Sequence, residues 1–298
     1  MSPLGPSGSA AAPALVAGAT GNVGSAVVGE LLGRGVPVRA VVRRPTDRLG
    51  DGVQSVVADL DVPASLGDGL DGVQGAFLLP GFADMAGLVR RLGDAGVQRL
   101  VLLSGSSAGD GDPDNAISEY MRRSEAAVRD GGIPWTTLRP NGFMSNALRW
   151  RSQLEAGDLV RLPFADVPIA MVDPADIAAV AVAALLEPGH EGSVLRLSGP
   201  EPLTPRDGVR ILGEVLGRPL RFEAVPDDVA RTEMLATTPA PYVDAFFRFY
   251  VDGTVDEGQV FDTVQAVTGR PPRSFQEWVR KHADEFPAGR EGATRSGG

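Results

Sequence analysis

From Ala14 onward, short β-branched or leucine-rich runs alternate with longer amphipathic stretches, the pattern of a parallel sheet with crossover helices. The spacing predicts strands at Leu15–Ala17, Val36–Val42, Val53–Ala58, Gly75–Leu79 and Arg99–Leu103. Between them, 22–33 sets Val23, Val27 and Leu31 on one helical face, and 84–95 does the same for Met85, Leu88, Val89 and Leu92, the 3.6-residue period of a half-buried helix. A sixth strand is expected at Trp135–Leu138, behind a helix over 117–130 that stops at Gly131-Gly132. Asp173-Pro174 opens a helix running to Leu186, a cap followed by proline in the first turn, and Gly192–Ser198 reads as another strand. From Thr204 the chain is mostly helical and aromatic, with Tyr242, Phe246, Phe247, Phe249 and Tyr250 close together. The expected architecture is α/β: a doubly wound parallel sheet over 14–140, with 168–200 returning to it, and a smaller, mostly helical lobe from 141–167 and 201–286. Residues 1–13 and 287–298, rich in Gly, Ser, Ala, Pro and Arg, are expected to be a disordered leader and tail.

Composition narrows the function. With 38 acidic against 28 basic residues, a net charge of −10 and no basic tract, the chain is a poor nucleic-acid ligand. The absence of cysteine removes disulfides, thiolate nucleophiles and cysteine-ligated metals, and fits a reducing, cytoplasmic setting. The two histidines, His190 in an expected exposed turn and His282, are too far apart in sequence to suggest a triad or a metal site. No run approaches the ~20 apolar residues of a membrane helix. Lys281 is the only lysine among the 28 basic residues, and that arginine bias points to a GC-rich, bacterial genome.

The chemistry begins at Leu15-Val16-Ala17-Gly18-Ala19-Thr20-Gly21-Asn22-Val23-Gly24. Glycines at 18, 21 and 24 tighten a strand-to-helix turn, let backbone approach a pyrophosphate and let helix pack closely on strand, while the helix N-terminus offers N–H groups to anions. Such a triplet at the head of a βαβ repeat marks a Rossmann dinucleotide site. The second strand ends in Arg43-Arg44 instead of the acidic residue that suits an NAD ribose, so NADPH is expected over NADH, through pairing with a 2′-phosphate. Asp59, ending the third strand, either accepts from the adenine amino group or caps a turn.

The glycine loop, together with Trp135-Thr136-Thr137-Leu138-Arg139-Pro140-Asn141-Gly142-Phe143-Met144-Ser145-Asn146, resembles the NmrA-like branch of the atypical short-chain dehydrogenase/reductases. Val172–Ala178, Leu197–Glu201 and Thr268–Phe275 extend the likeness over about 14–286. The resemblance implies NAD(P)H bound at Gly18, Thr20, Gly21, Asn22, Val23 and Gly24, with Arg43 near the 2′-phosphate and Asp59-Leu60 near adenine. It further implies Leu79, Pro80 and Ser104 along the nicotinamide ribose and the Pro140-Asn141-Gly142-Phe143 loop beside the nicotinamide. A small-molecule substrate would lie between that loop and the C-terminal lobe, with Phe143, Trp150, Tyr242 and Phe246 as candidate walls.

Reductive hydride transfer leaves an alkoxide or enolate that needs a proton or hydrogen bonds. The Tyr-x-x-x-Lys pair of typical short-chain dehydrogenases is absent, because Tyr120 is followed four places on by Ser124. Tyr120 and Ser106 remain as candidate catalytic groups, Tyr120 with Arg122 or Arg123 to acidify it or else as a packing residue. The expected activity is NADPH-dependent reduction of a small apolar carbonyl, quinone or polycyclic substrate. Two alternatives stand beside it: a non-catalytic sensor of NADP(H) redox state, and a non-redox isomerase or cyclase on the same scaffold.

Overall fold

The computed structural model describes residues 11–110, 112 and 114–289. Most of the expected leader and tail lies outside them. Among the described residues nine strands occur: β1 (Ala14–Val16), β2 (Val38–Val42), β3 (Val53–Val57), β4 (Gly75–Leu78), β5 (Arg99–Leu103), β6 (Trp135–Pro140), β7 (Leu159–Leu162), β8 (Ser193–Leu197) and β9 (Arg221–Ala224). Seven form one sheet in the order β3-β2-β1-β4-β5-β6-β8, and β7 and β9 form a separate parallel pair. Register is parallel from β3 through β5, with Leu15 opposite both Arg39 and Ala76. The order turns back at β1, whose neighbours are β2 and β4, which is the switch point where such sheets bind ligands at strand carboxyl ends.

The chain divides into two compact units. One runs to Leu103 and includes Ser124–Thr137 and Ala181–Ser193; the other comprises Ser104–Arg123, Leu138–Val180 and the residues from Val194 on. In the first, the helix Asn22–Gly33 buries Val23, Val27 and Leu31, and Met85–Asp94 buries Met85, Leu88, Val89 and Leu92, the faces expected from periodicity. The second of these faces packs in a core that includes Leu15, Leu78, Leu100 and Leu102. The link from β3 to β4 is a 3₁₀ segment, Pro63–Leu70, interrupted at Gly67, where a helix would have completed the repeat. His190 is half-buried instead of exposed, its carbonyl accepting from Thr136 Oγ1 at 2.8 Å.

In the second unit, Trp278 and Phe275 stack at 5.7 Å inside a core with Leu154, Val160 and Leu212. The β7–β9 pair adds two short strands to the mostly helical lobe. Its strands are four residues long with mostly exposed or half-buried positions, too short for a two-residue period to register. Asp173 caps the helix Pro174–Leu186 by accepting from Ala175 N at 2.8 Å, as its Asp-Pro start predicts. One turn in, fully buried Asp176 accepts from Arg270 Nη1 (2.8 Å), Arg273 N (2.7 Å) and the Arg273 guanidinium. Asp176→Ala is expected to lower stability by about 2–3 kcal/mol, less than a fully buried pair because both arginines reach solvent. Urea unfolding checks this, and a change within error would show the anchor to be dispensable.

Candidate functional site

The first unit carries a cradle built from the end of β1. Gly18 adopts φ +65°, and a Cβ there would stand 2.6 Å from Leu79 Cδ1. At Gly24 a Cβ would stand 2.0 Å from Gly18 O. Glycine at both places is what lets the helix start so close to the strand end. Gly21 donates to Gly18 O at 2.9 Å, and no side chain caps the helix Asn22–Gly33, so the N–H groups of Asn22 and Val23 head a helix whose positive dipole end suits a phosphate. Beside this turn lies a cavity of about 440 Å³ lined by Gly18, Thr20, Arg43, Arg44, Arg48 and Asp59. Leu60 and Leu79 add apolar wall, and Pro80 follows half-buried. Asp59 Oδ1 accepts from Asp61 N at 3.0 Å, so it caps its turn and also faces the cavity. Arg44 and Arg48 join Arg43 there; the run Arg43–Arg48 held the signal, but only folding turns three of its cations toward one space. A phosphate-bearing dinucleotide fits this donor set.

The second unit holds a different environment. A cavity of about 380 Å³ is walled by Trp150, Phe164, Met171, Phe246 and Tyr250, with Arg149 the one charged residue among the described residues that line it. Phe164 sits at φ +57°, costly for a bulky residue, and is held by the rings of Phe247 at 5.2 Å and Tyr250 at 5.1 Å. Tyr242 is 41% exposed and Phe143 pairs with Val172; neither lines this cavity, whereas Trp150 and Phe246 do. Phe247 and Phe249 are core residues.

Behind the wall lies a polar cluster. Ser106 Oγ donates to Glu257 Oε1 at 2.7 Å, and Tyr250 OH donates to Glu257 Oε2 at 2.9 Å. Asn141 Nδ2 donates to the carbonyls of Glu257 (2.9 Å) and Gln259 (3.0 Å), while Asn141 N donates to Leu197 O at 2.8 Å. Ser104 and Pro140 are buried nearby in sequence, Ser104 N donating to Leu138 O. Tyr120 is half-buried, and burial pushes its phenol up, with Tyr242 adding to the effect. Arg122 pairs with Glu119 at 3.0 Å, and the acidified tyrosine that the sequence suggested does not appear.

Comparison with known proteins places this geometry. The model of the NmrA-like family matches residues 13–278. The chain belongs to the NmrA-like family. This NmrA-like protein is 43% identical over 279 residues to a (4-alkanoyl-5-oxo-2,5-dihydrofuran-3-yl)methyl phosphate reductase of Streptomyces griseus, covering 91% of this chain and 98% of the relative. It is 33% identical to an NAD(P)H azoreductase of Xenophilus azovorans, covering 92% and 99%. Among solved structures it superimposes on an NADPH-dependent quinone oxidoreductase of Escherichia coli with a TM-score of 0.73 at 25% identity, covering 91% and 99%. No helix among the described residues is long and apolar enough to cross a membrane.

Glu257 is the NmrA-like protein's least legible site residue, since Asp256-Glu257-Gly258 reads as an ordinary surface turn. Desolvation raises its pKa above the usual 4.5, against hydrogen bonds from Ser106, Tyr250 and Gly142 N–H that lower it. The folded state therefore holds this proton more tightly than the unfolded chain. The stability so gained is complete below about pH 4.5 and is lost as pH climbs through the raised value. Glu257→Gln removes that dependence. Its stability relative to wild type is expected to improve as pH rises above about 4.5, and a constant difference in urea unfolding would contradict the burial effect.

Proposed function

We propose that this chain, an NAD(P)H-dependent reductase of the NmrA-like type, uses NADPH and reduces a small, largely apolar, conjugated carbonyl compound. The observation that carries the reading is the pairing of two chemistries: a cavity lined by three arginines beside a glycine cradle, and a separate cavity walled by aromatic side chains. Arg43, Arg44 and Arg48 suit the 2′-phosphate that distinguishes NADPH from NADH, and the N-terminus at Asn22 and Val23 suits the pyrophosphate. When bound, the cofactor supplies a hydride. The aromatic cavity has the size and apolar lining usual for small-ligand sites.

The substrate class favoured is an acylated unsaturated lactone, the kind of compound named for the Streptomyces relative at 43% identity. In such an acceptor the ring double bond is polarised by two carbonyls, so hydride addition is helped by the substrate's own electronics. Positioning then supplies much of the catalysis, in keeping with the absence of a Tyr-x-x-x-Lys pair. Quinones and azo compounds, acceptors in the names of the other relatives, share the trait of accepting hydride at an electron-poor centre.

The test is titration with NADPH and NADH followed by fluorescence, then absorbance decay on adding an alkanoyl butenolide phosphate, a simple quinone and an azo dye. Tight NADPH binding with decay fastest on the butenolide supports the reading. Binding without decay on any acceptor would favour the sensing alternative, and absence of binding would remove the nucleotide assignment.

A further inference from the structure

The Ser106–Glu257–Tyr250 cluster is the polar machinery that the reductase reading leaves unused. Tyr250 belongs to the cavity wall, and its ring is fixed by Phe164 at 5.1 Å and by Phe246, stacked at 6.4 Å with 14° between planes. Its hydroxyl ends on Glu257 Oε2, and the other carboxyl oxygen is held by Ser106. The backbone of Glu257 is pinned as well: its carbonyl accepts from Asn141 Nδ2 and from Ala170 N at 2.8 Å. A carboxyl fixed at both oxygens and at its own main chain, with a phenol between it and an apolar cavity, has the form of a proton relay.

We propose that Tyr250 donates the proton that completes reduction of the bound acceptor and that Glu257, positioned by Ser106 and Asn141, resupplies it. The proposal rests on the reductase reading. The steps balance as follows. A bound reduced dinucleotide would supply the hydride and be left oxidised; an acceptor that takes it at its electron-poor carbon would carry the displaced π pair on its conjugated carbonyl as an enolate. The Tyr250 O–H bond breaks and its proton passes to the enolate. The resulting phenolate takes the carboxyl proton of Glu257, and the carboxylate recovers a proton from water after product leaves.

The electrostatics favour the protonated form of both groups before reaction. Burial raises the pKa of Glu257, so it retains its proton at higher pH than an exposed carboxyl. Burial and the neighbouring carboxyl also raise the Tyr250 pKa, while the positive charge of Arg149 opposes them; that charge, on the cavity lining, favours the phenolate at the moment it forms. At Tyr120, burial and Tyr242 both raise the phenol's pKa.

The experiment is steady-state reduction of an unsaturated acyl lactone across pH by wild type, Tyr250→Phe, Glu257→Gln and Ser106→Ala, each checked by thermal melting. Tyr250→Phe is expected to lower kcat by about 10²–10³-fold, as loss of a general acid does, with KM changed less than about threefold. In wild type kcat should fall on the alkaline side as Glu257 loses its proton. Glu257→Gln should flatten that limb, and Ser106→Ala, which frees one carboxyl oxygen, should shift it. Infrared difference spectra of wild type against Glu257→Gln should show a carboxylic-acid carbonyl band that disappears along the same limb. A reactive wild type matched in kcat by Tyr250→Phe, or a pH profile of unchanged shape in Glu257→Gln, would overturn the relay alone. A wild type that reduces none of the acceptors would overturn the reductase reading and the relay with it.

Discussion

Gly24→Val is expected to raise the dissociation constant for NADPH by more than about 100-fold, the equivalent of about 2.7 kcal/mol. The cause is steric and involves main chain. Even the first side-chain atom would stand 2.0 Å from Gly18 O and 2.5 Å from Gly18 C. No flexible side chain can yield there, so the helix Asn22–Gly33 must retreat from the end of β1 and carry its N–H groups away from the phosphate. Overpacking of this kind also costs about 1–3 kcal/mol of stability, so melting must be measured beside binding. Gly21→Ala is the control: its Cβ would meet Gly18 O at 3.4 Å, at the edge of ordinary contact, and the variant should fold as wild type does. Wild-type affinity in a folded Gly24→Val protein would show that nucleotide does not use this cradle.

Arg43→Glu is expected to weaken NADPH binding by about 10–100-fold while changing NADH binding less than about threefold. Charge-assisted hydrogen bonds contribute about 1.5–3 kcal/mol, and reversing the charge adds repulsion toward a 2′-phosphate that NADH lacks. The loss should stop short of abolition because Arg44 and Arg48 line the same cavity. Arg43 is exposed, so the difference between the nucleotides should shrink at high salt. Calorimetric titration of both nucleotides decides the matter, and equal losses for the two would remove the 2′-phosphate assignment.

Local pattern carried the nucleotide half of this protein. The glycine spacing, the strand before it and the periodic faces at Val23, Val27 and Leu31 are properties of neighbouring residues, and all three appear in the structure where the sequence puts them. The aromatic run at Tyr242–Tyr250 was visible too, but its division was not: Phe246 and Tyr250 face a cavity while Phe247 and Phe249 pack in the core. That division depends on what stands opposite each side of the helix, including Phe164 from a turn some eighty positions earlier.

Tertiary structure alone decided the rest. β7 and β9 are too short to announce themselves, and they pair across some sixty positions of chain. Ser106 meets Glu257 across 151 positions, and Asn141 meets the carbonyl of Glu257 across 116. A glutamate between an aspartate and a glycine has the local look of a solvated turn, and nothing within its own segment desolvates it. The sequence determined the sheet, its helices and the phosphate turn because helix and strand periods and turn chemistry act over a few residues. Only the closed chain could assemble the half-buried carboxyl, its serine and its tyrosine, because desolvation and hydrogen bonding act through space between residues whose separation along the chain leaves no periodic trace.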